Sequence, residues 1–183
     1  MQINVSQQLK APMGSIRDYE VSEIIDIAGD DGGNMVQGKV RLMRTNRGIL
    51  TKGTLHTEVE ITCCRCLSLF SCPLALNVEE EYFPTKDMFS GASLPLPDEP
   101  VCFTIDEHHV LDLTEAIRQN ALLTIPMKPL CREDCAGLCP NCGHNLNHGP
   151  CGCLPREADS RWSRLNKLAS ASDVLVNKVK GTK

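Results

Sequence analysis

The spacing of the cysteines is the feature that most constrains how this chain can fold. The 183-residue sequence contains eleven cysteines, and six of them fall within residues 131–153. Thiols this close together are typical of metal sites, because tetrahedral Zn²⁺ takes its ligands in pairs from short turns. The six thiols belong to Cys131, Cys135, Cys139, Cys142, Cys151 and Cys153.

The cellular compartment decides between metal binding and disulfide formation. The first residues, 1–5, begin an alternating stretch, and no basic segment followed by an apolar run precedes the rest of the chain. No stretch approaches the roughly 20 apolar residues that span a bilayer. We therefore expect a cytoplasmic protein without membrane association. In a reducing cytoplasm the clustered thiols are expected to be metal ligands, and disulfides are the weaker interpretation.

Two further cysteines complete a possible ligand set. Cys63 and Cys66 are separated by two residues and lie between the two clearest strand patterns, where one turn can direct both sulfurs at one ion. A lone pair with this spacing also fits a redox pair. With the six thiols above, however, there are eight ligands, enough for two zinc ions. Catalytic zinc keeps an open coordination position, so two full sets of thiolates favour structural ions.

Spacing leaves two ways of pairing the ligands. Our preferred pairing assigns four cysteines to each ion, namely Cys63, Cys66, Cys131 and Cys135 to one and Cys139, Cys142, Cys151 and Cys153 to the other. In the competing pairing, one ion is bound by Cys131, Cys135, Cys139 and Cys142. The other ion is then bound by Cys63, Cys66, Cys151 and Cys153. His144 and His148 could each replace a thiol, although solvation at the surface is their ordinary role.

Alternating hydrophobicity predicts mainly β-structure in the first half of the chain. A period of two indicates strands with one buried and one wet face, and it covers residues 18–27, 35–44, 49–53, 55–61 and 70–82. Pro73 removes a backbone donor and suggests a sheet edge or a bulge. A helix is predicted from Asp112 to Pro126, and a second from Asp159 onward.

These elements predict an α+β fold, in which an antiparallel β-sheet or partly open barrel is joined to two short helices and a cysteine-rich, zinc-ribbon-like module. We expect a mainly antiparallel β domain with one helix at 1–130. A cysteine-rich zinc-binding module follows at 131–155. A C-terminal helix and basic tail are expected at 156–183.

Charge is distributed unevenly along the sequence. The formal net charge of −4 excludes a strongly basic coat for nucleic acid, yet residues 32–57 contain five bases and no acid. A basic face for RNA could therefore include Arg41, Arg44 and Arg47. The alternative is that these arginines are the ordinary charged positions of surface strands.

Motifs for catalysis are missing from the sequence. There is no H-E-x-x-H, no phosphate-binding P-loop and no G-x-G-x-x-G. His56 and Glu58 match the first half of a zinc-deaminase signature, but the P-C-x-x-C half is missing. We therefore expect neither an enzyme nor a small-molecule substrate.

The order of these motifs resembles the YceD-like family of large ribosomal RNA subunit accumulation proteins. The similar sequence segments are residues 53–67, with a strand and the first cysteine pair, and residues 79–84, the acidic end of a strand. They also include the leucine motif of residues 110–113 and the end of the helix at residues 121–131. The resemblance continues through residues 135–147, the pair Cys151 and Cys153, and residues 159–161. Arg65, between Cys63 and Cys66, also matches the family pattern.

This resemblance implies a role in assembling or stabilising the large ribosomal subunit, through accumulation of its RNA. The predicted function is a non-enzymatic factor that binds ribosomal RNA or a large-subunit ribosomal protein through a zinc-stabilised scaffold. Arg65 is our first candidate for an RNA or partner contact, and a salt bridge to nearby acids is the equal alternative. A zinc- or redox-responsive regulator using Cys63 and Cys66 is the alternative function.

Overall fold

The computed structural model describes residues 1–27, 29, 32–95 and 102–154. The chain divides into two compact units, Met1–Cys135 and Ala136–Lys183. The predicted helix from Asp159 lies outside the described residues, and the predicted division at 130 and 155 stays a prediction. Within the described residues, no helix is both long and apolar enough to cross a membrane.

A seven-stranded sheet forms the first unit. Its strands in chain order are β1 (Gln2–Asn4), β2 (Ile16–Ile25), β3 (Asn34–Arg44), β4 (Ile49–Thr62), β5 (Leu69–Pro84), β6 (Phe103–Ile105) and β7 (Val110–Asp112). Their order across the sheet is β1-β7-β6-β5-β4-β3-β2. All neighbours are antiparallel except β5 and β6, which run parallel.

The long hairpin β4–β5 dominates the sheet. Residues 49–53 and 55–61, predicted as separate strands, form one strand because the alternation of buried residues continues through Thr54. Residues Leu55 and Leu76 lie opposite each other, both fully buried on the inner face. Charged and polar residues take the other positions, as the period of two predicts.

Of the two predicted explanations for Pro73, a sheet edge or a bulge, the described residues show a locally unpaired edge. Pro73 pairs with Glu58 of β4, while the other neighbour of β5, strand β6, pairs only with Tyr82–Pro84. Among the described residues, the outer backbone edge of β5 at Pro73 has no strand partner. Proline is tolerated there because no ladder hydrogen bond requires its missing N–H group.

Two short helices accompany the sheet. Helix α1 (Ser6–Leu9) follows β1, and its Gln8 Nε2 donates to the Leu42 carbonyl of β3 at 2.6 Å. The Met1 ammonium group, which directly precedes β1, lies 3.2 Å from Glu23 of β2. Strands β1 and β2 are the two edge strands, so the edges of the curled sheet approach each other. Helix α2 (Thr114–Thr124) buries Ala116, Ile117 and Ala121 in the core, as the sequence predicts. The α+β class is therefore confirmed.

Candidate metal centres

The first cysteine cluster joins the tip of the β4–β5 hairpin to the segment that follows α2. The hairpin supplies Cys63 and Cys66, and the later segment supplies Cys131 and Cys135; the four Sγ atoms lie within 4.8 Å of one another. The Cys63–Cys135 and Cys66–Cys131 sulfur distances are 3.8 and 3.7 Å. A tetrahedron of sulfurs about 2.3 Å from a zinc ion has edges of about 3.8 Å. The donor set therefore fits Zn²⁺.

The second cluster lies wholly in the second unit. Its sulfurs are also within 4.8 Å of one another and belong to Cys139, Cys142, Cys151 and Cys153. The grouping of all eight thiols coincides with our preferred pairing and not with the competing one. Neither His144 nor His148 belongs to these groups. All described cysteines are free, so none is held in a disulfide.

The two cysteine turns share one backbone geometry. The Leu67 N–H donates to the Cys63 carbonyl at 3.0 Å, and the Gly143 N–H donates to the Cys139 carbonyl at 2.9 Å. Both donors adopt the left-handed conformation, with φ of 58° for Leu67 and 74° for Gly143. Backbone N–H groups also approach sulfur, as the Asn141 N–H does at 3.4 Å from Cys139 Sγ. This geometry orients thiolates toward a common ion.

The pKa values of the thiols diverge within each cluster. Hydrogen bonds from the backbone N–H of Cys66 lower the pKa of Cys63 to about 6, and those from Cys142 lower the pKa of Cys139 to about 6. Burial raises the pKa of Cys131 to about 12, and the neighbouring Cys142 thiol raises the pKa of Cys153 to about 12. Four thiolates cannot coexist at this spacing unless a cation balances their charge.

The two clusters differ in burial. In the first, Cys63, Cys66 and Cys135 are buried, and Phe70 and Leu130 pack against them. In the second, Cys142 and Cys153 are exposed. Among described residues 136–154, the one buried side chain is that of Cys139. The second unit therefore has no apolar core in its described part, and its fold would depend on the ion.

Arg65 links the two halves of the first cluster. Its Nη1 atom donates to the Cys135 carbonyl at 3.1 Å and lies 3.5 Å from the Glu133 carbonyl. The Cys64 N–H donates to the Pro129 carbonyl at 2.9 Å, which adds a second link between the hairpin tip and the later segment. Neither contact could be predicted from spacing, because both use backbone carbonyls that are remote in sequence. The position of Arg65 inside the cysteine turn was the one sequence feature that pointed to a contact there.

Replacing Arg65 with glutamine is expected to destabilise the first cluster. The shorter amide cannot span the distance to the Cys135 carbonyl, and losing that charged hydrogen bond costs about 1–2 kcal/mol. Urea unfolding should therefore show a lower free energy of unfolding. Arg17→Gln is the matched control, because exposed Arg17 donates to the Gln7 side chain at 3.3 Å on the surface, away from the cysteines, and its loss should cost under about 0.5 kcal/mol. Equal unfolding curves for both variants would contradict the assigned contact.

Three of the four arginines predicted to bind RNA lie at or beyond the two ends of β4. Arg44 and Arg47 lie at the β3–β4 turn, where Arg44 donates to the Thr45 and Gly48 carbonyls and Arg47 covers the Phe83 ring at 4.8 Å. Arg65 lies beyond the other end of this strand, which is about 45 Å long. The four arginines therefore do not form one cluster.

Arg41 lies on the outer face of the sheet, where its Nε atom is 2.7 Å from Asp18 Oδ1. The pKa of the Asp18 carboxyl is lowered by this hydrogen bond. Neighbouring bases are paired in the same way, Lys39 with Glu20 and Lys52 with Glu79. The bases of β3 and β4 on this face therefore lie between carboxylates of β2 and β5, and binding of RNA through Arg41 stays a prediction.

Comparison with known proteins places these features in context. The sequence profile of a family described as "Large ribosomal RNA subunit accumulation protein YceD" matches residues 51–169. An uncharacterized protein of Mycobacterium tuberculosis is 31% identical over 155 residues, covering 82% of this chain and 70% of the relative. A Zea mays protein, named "Large ribosomal RNA subunit accumulation protein YCED homolog 1, chloroplastic", is 28% identical over 156 residues, covering 72% of this chain and 53% of the relative. No solved structure matches this chain significantly.

Proposed function

This chain belongs to the YceD family of large ribosomal RNA subunit accumulation proteins, and from that premise we propose that it is a non-enzymatic factor in assembly of the large ribosomal subunit. It acts in the cytoplasm by binding ribosomal RNA or a large-subunit ribosomal protein. Two structural zinc ions hold its docking surfaces in place. Each ion is bound by one of the two cysteine clusters.

The observation that carries this proposal is the pair of closed four-thiol clusters. Each offers four sulfur ligands to one ion, which fills a tetrahedral coordination sphere and leaves no open position for a substrate or a reactive water. Zinc bound in this way contributes folding free energy, on the order of 10–16 kcal/mol in small zinc domains. We therefore assign a structural role to the ions. Partner binding is assigned to the surfaces that the zinc-stabilised scaffold holds in place.

The distribution of charge favours a protein as the direct partner. Three bases on the outer sheet face, Lys39, Arg41 and Lys52, are each paired with a carboxylate. In contrast, Glu58 and Glu60 form no ion pair with a described residue. Unpaired carboxylates repel phosphate and attract the basic side chains that are common in proteins that bind ribosomal RNA.

Cross-linking in living cells tests the proposal. The full chain is cross-linked to its neighbours, and the captured RNA and proteins are identified in parallel. We expect large-subunit ribosomal RNA, a large-subunit protein, or both to be enriched over a cross-linked control protein of similar size and charge. Cells depleted of the chain should also accumulate less large-subunit RNA. Capture of neither class of partner, with normal levels of large-subunit RNA after depletion, contradicts the proposed function.

A further inference from the structure

Leu67 has an unusual combination of conformation and exposure. It has φ of 58°, and 64% of its surface is exposed. Left-handed backbone is unfavourable for a residue with a Cβ atom, and in the second cysteine turn the equivalent position is Gly143. A glycine at position 67 would serve the turn better, and a polar residue would suit the solvent better. Backbone strain of this kind clusters at functional positions, so Leu67 is a candidate for one.

A second exposed leucine lies two residues after Leu67, and two carboxylates lie further along the same face of the β4–β5 hairpin. Leu69 begins β5 and is 70% exposed. It pairs with Thr62, and the following positions of the same face are occupied by Glu60 and Glu58 of β4, because alternate residues share a face. We call Leu67, Leu69, Glu58 and Glu60 the tip face. It combines an apolar end with an acidic flank.

The chemistry of the tip face fits a protein better than RNA. Phe70, the aromatic residue nearest to Leu67 in sequence, is half-buried and packs against the buried cysteines, so it offers little free face for base stacking. Arg65 directs its Nη1 atom at the Cys135 carbonyl. Glu58 accepts from the Ser71 hydroxyl at 2.8 Å, and neither it nor Glu60 has a cationic partner among the described residues. An apolar pocket with a basic rim complements this surface in shape and charge.

We infer that the tip face is the docking site for a basic protein of the large ribosomal subunit, with Leu67 entering an apolar pocket of that partner. This inference rests on the proposed function and adds to it the contact surface and the class of partner. The first cysteine cluster then has a specific task, because it holds the turn that presents Leu67. Arg65 assists as a positioning residue, since it fixes the hairpin tip to the Cys135 segment.

Leu67→Gly separates a docking role from a structural one. Glycine relieves the unfavourable φ, so the melting temperature of the variant should equal that of the wild type or exceed it by up to about 3 °C. Binding of the full chain to purified large-subunit particles should nevertheless fall by about tenfold or more, as for a central contact residue. Ile24→Ser is the matched control, because Ile24 is 69% exposed on β2 outside the tip face. It should change binding by less than about twofold.

The acidic flank is tested by Glu58→Gln combined with Glu60→Gln. At low salt this variant should bind the particles about fivefold more weakly than the wild type, and the difference should shrink at high salt because attraction between exposed charges is screened. Glu20→Gln combined with Glu79→Gln is the control. It removes the same charge from the same sheet at carboxylates that are already paired with Lys39 and Lys52, and it should have a smaller effect.

The particle assay and cross-linking in cells together distinguish failure of this inference from failure of the proposed function. A wild-type chain that captures neither large-subunit RNA nor a large-subunit protein in cells, with normal RNA levels after depletion, overturns the proposed function and the inference with it. A wild-type chain that captures either partner in cells but binds no large-subunit particle overturns the inference alone. Particle binding that is unchanged in Leu67→Gly overturns the inference alone. Equal binding to deproteinised ribosomal RNA and to intact particles, weakened to the same extent by Leu67→Gly, overturns the choice of a protein partner. Loss of particle binding in Leu67→Gly, with no binding to bare RNA, supports the inference.

Discussion

Replacing Cys139 with serine is expected to lower the zinc content of the purified, reduced chain from two ions to one, and to unfold residues 136–154. Cys139 supplies one of four ligands and is the one buried side chain in this described segment. An apolar core that could hold the segment without the ion is missing there. The contribution of a structural zinc ion, on the order of 10–16 kcal/mol, exceeds what the remaining backbone hydrogen bonds can supply.

Elemental analysis and amide exchange measure this result together. The zinc content gives the number of ions, and loss of protection at the Gly143 and Leu146 N–H groups, which donate to the Cys139 and Gly137 carbonyls, reports unfolding of the segment. Cys64→Ser is the control, because Cys64 is exposed and belongs to neither cluster. It should retain both ions. Retention of two ions by Cys139→Ser, or loss of both, would refute the assignment of one ion to each cluster.

The four long strands, β2 to β5, could be predicted from the sequence because their alternation is long and regular. The alternation in 70–82 spans many residues, so its periodicity outweighs local propensity. Pro73, which suggested an edge or a bulge, lies at a locally unpaired edge of the described sheet. Helix α1 was not predicted, because four residues contain barely one turn and show no helical periodicity. Its position is set by tertiary contacts such as that of Gln8 with the Leu42 carbonyl.

Local sequence spacing predicts the cysteine turns but not which other cysteines share an ion with each turn. The two residues between Cys63 and Cys66 identify a turn, since the separation is fixed by covalent geometry. Which later thiols meet this turn depends on the path of the chain after α2, and for this reason the sequence left two pairings open. The same limit explains why the ion pair of Arg41 was not predicted. Residues 32–57 contain bases and no acid, but the β2–β3 register places Asp18, from outside this segment, beside Arg41.

Oxidation is expected to release the two zinc ions at very different rates. Cys142 and Cys153 of the second cluster are exposed, whereas Cys63, Cys66 and Cys135 of the first are buried. Because peroxide attacks accessible thiolates, the ion of the second cluster should be released at least about tenfold faster. A chromophoric zinc chelator present during mild peroxide treatment should record a fast phase and a slow phase, each with an amplitude of one ion per chain.

Single variants assign these phases. Cys139→Ser should lack the fast phase and Cys135→Ser the slow phase, while Cys64→Ser should show both. This order of release distinguishes a structural role of the zinc ions from the alternative function, a redox-responsive regulator that uses Cys63 and Cys66. A redox sensor in the first cluster would have to release its ion before the second cluster does. A fast phase that disappears in Cys135→Ser, accompanied by altered binding to large-subunit particles, would favour the regulator. A fast phase confined to the second cluster would leave the first ion as a stable support for the turn that contains Leu67.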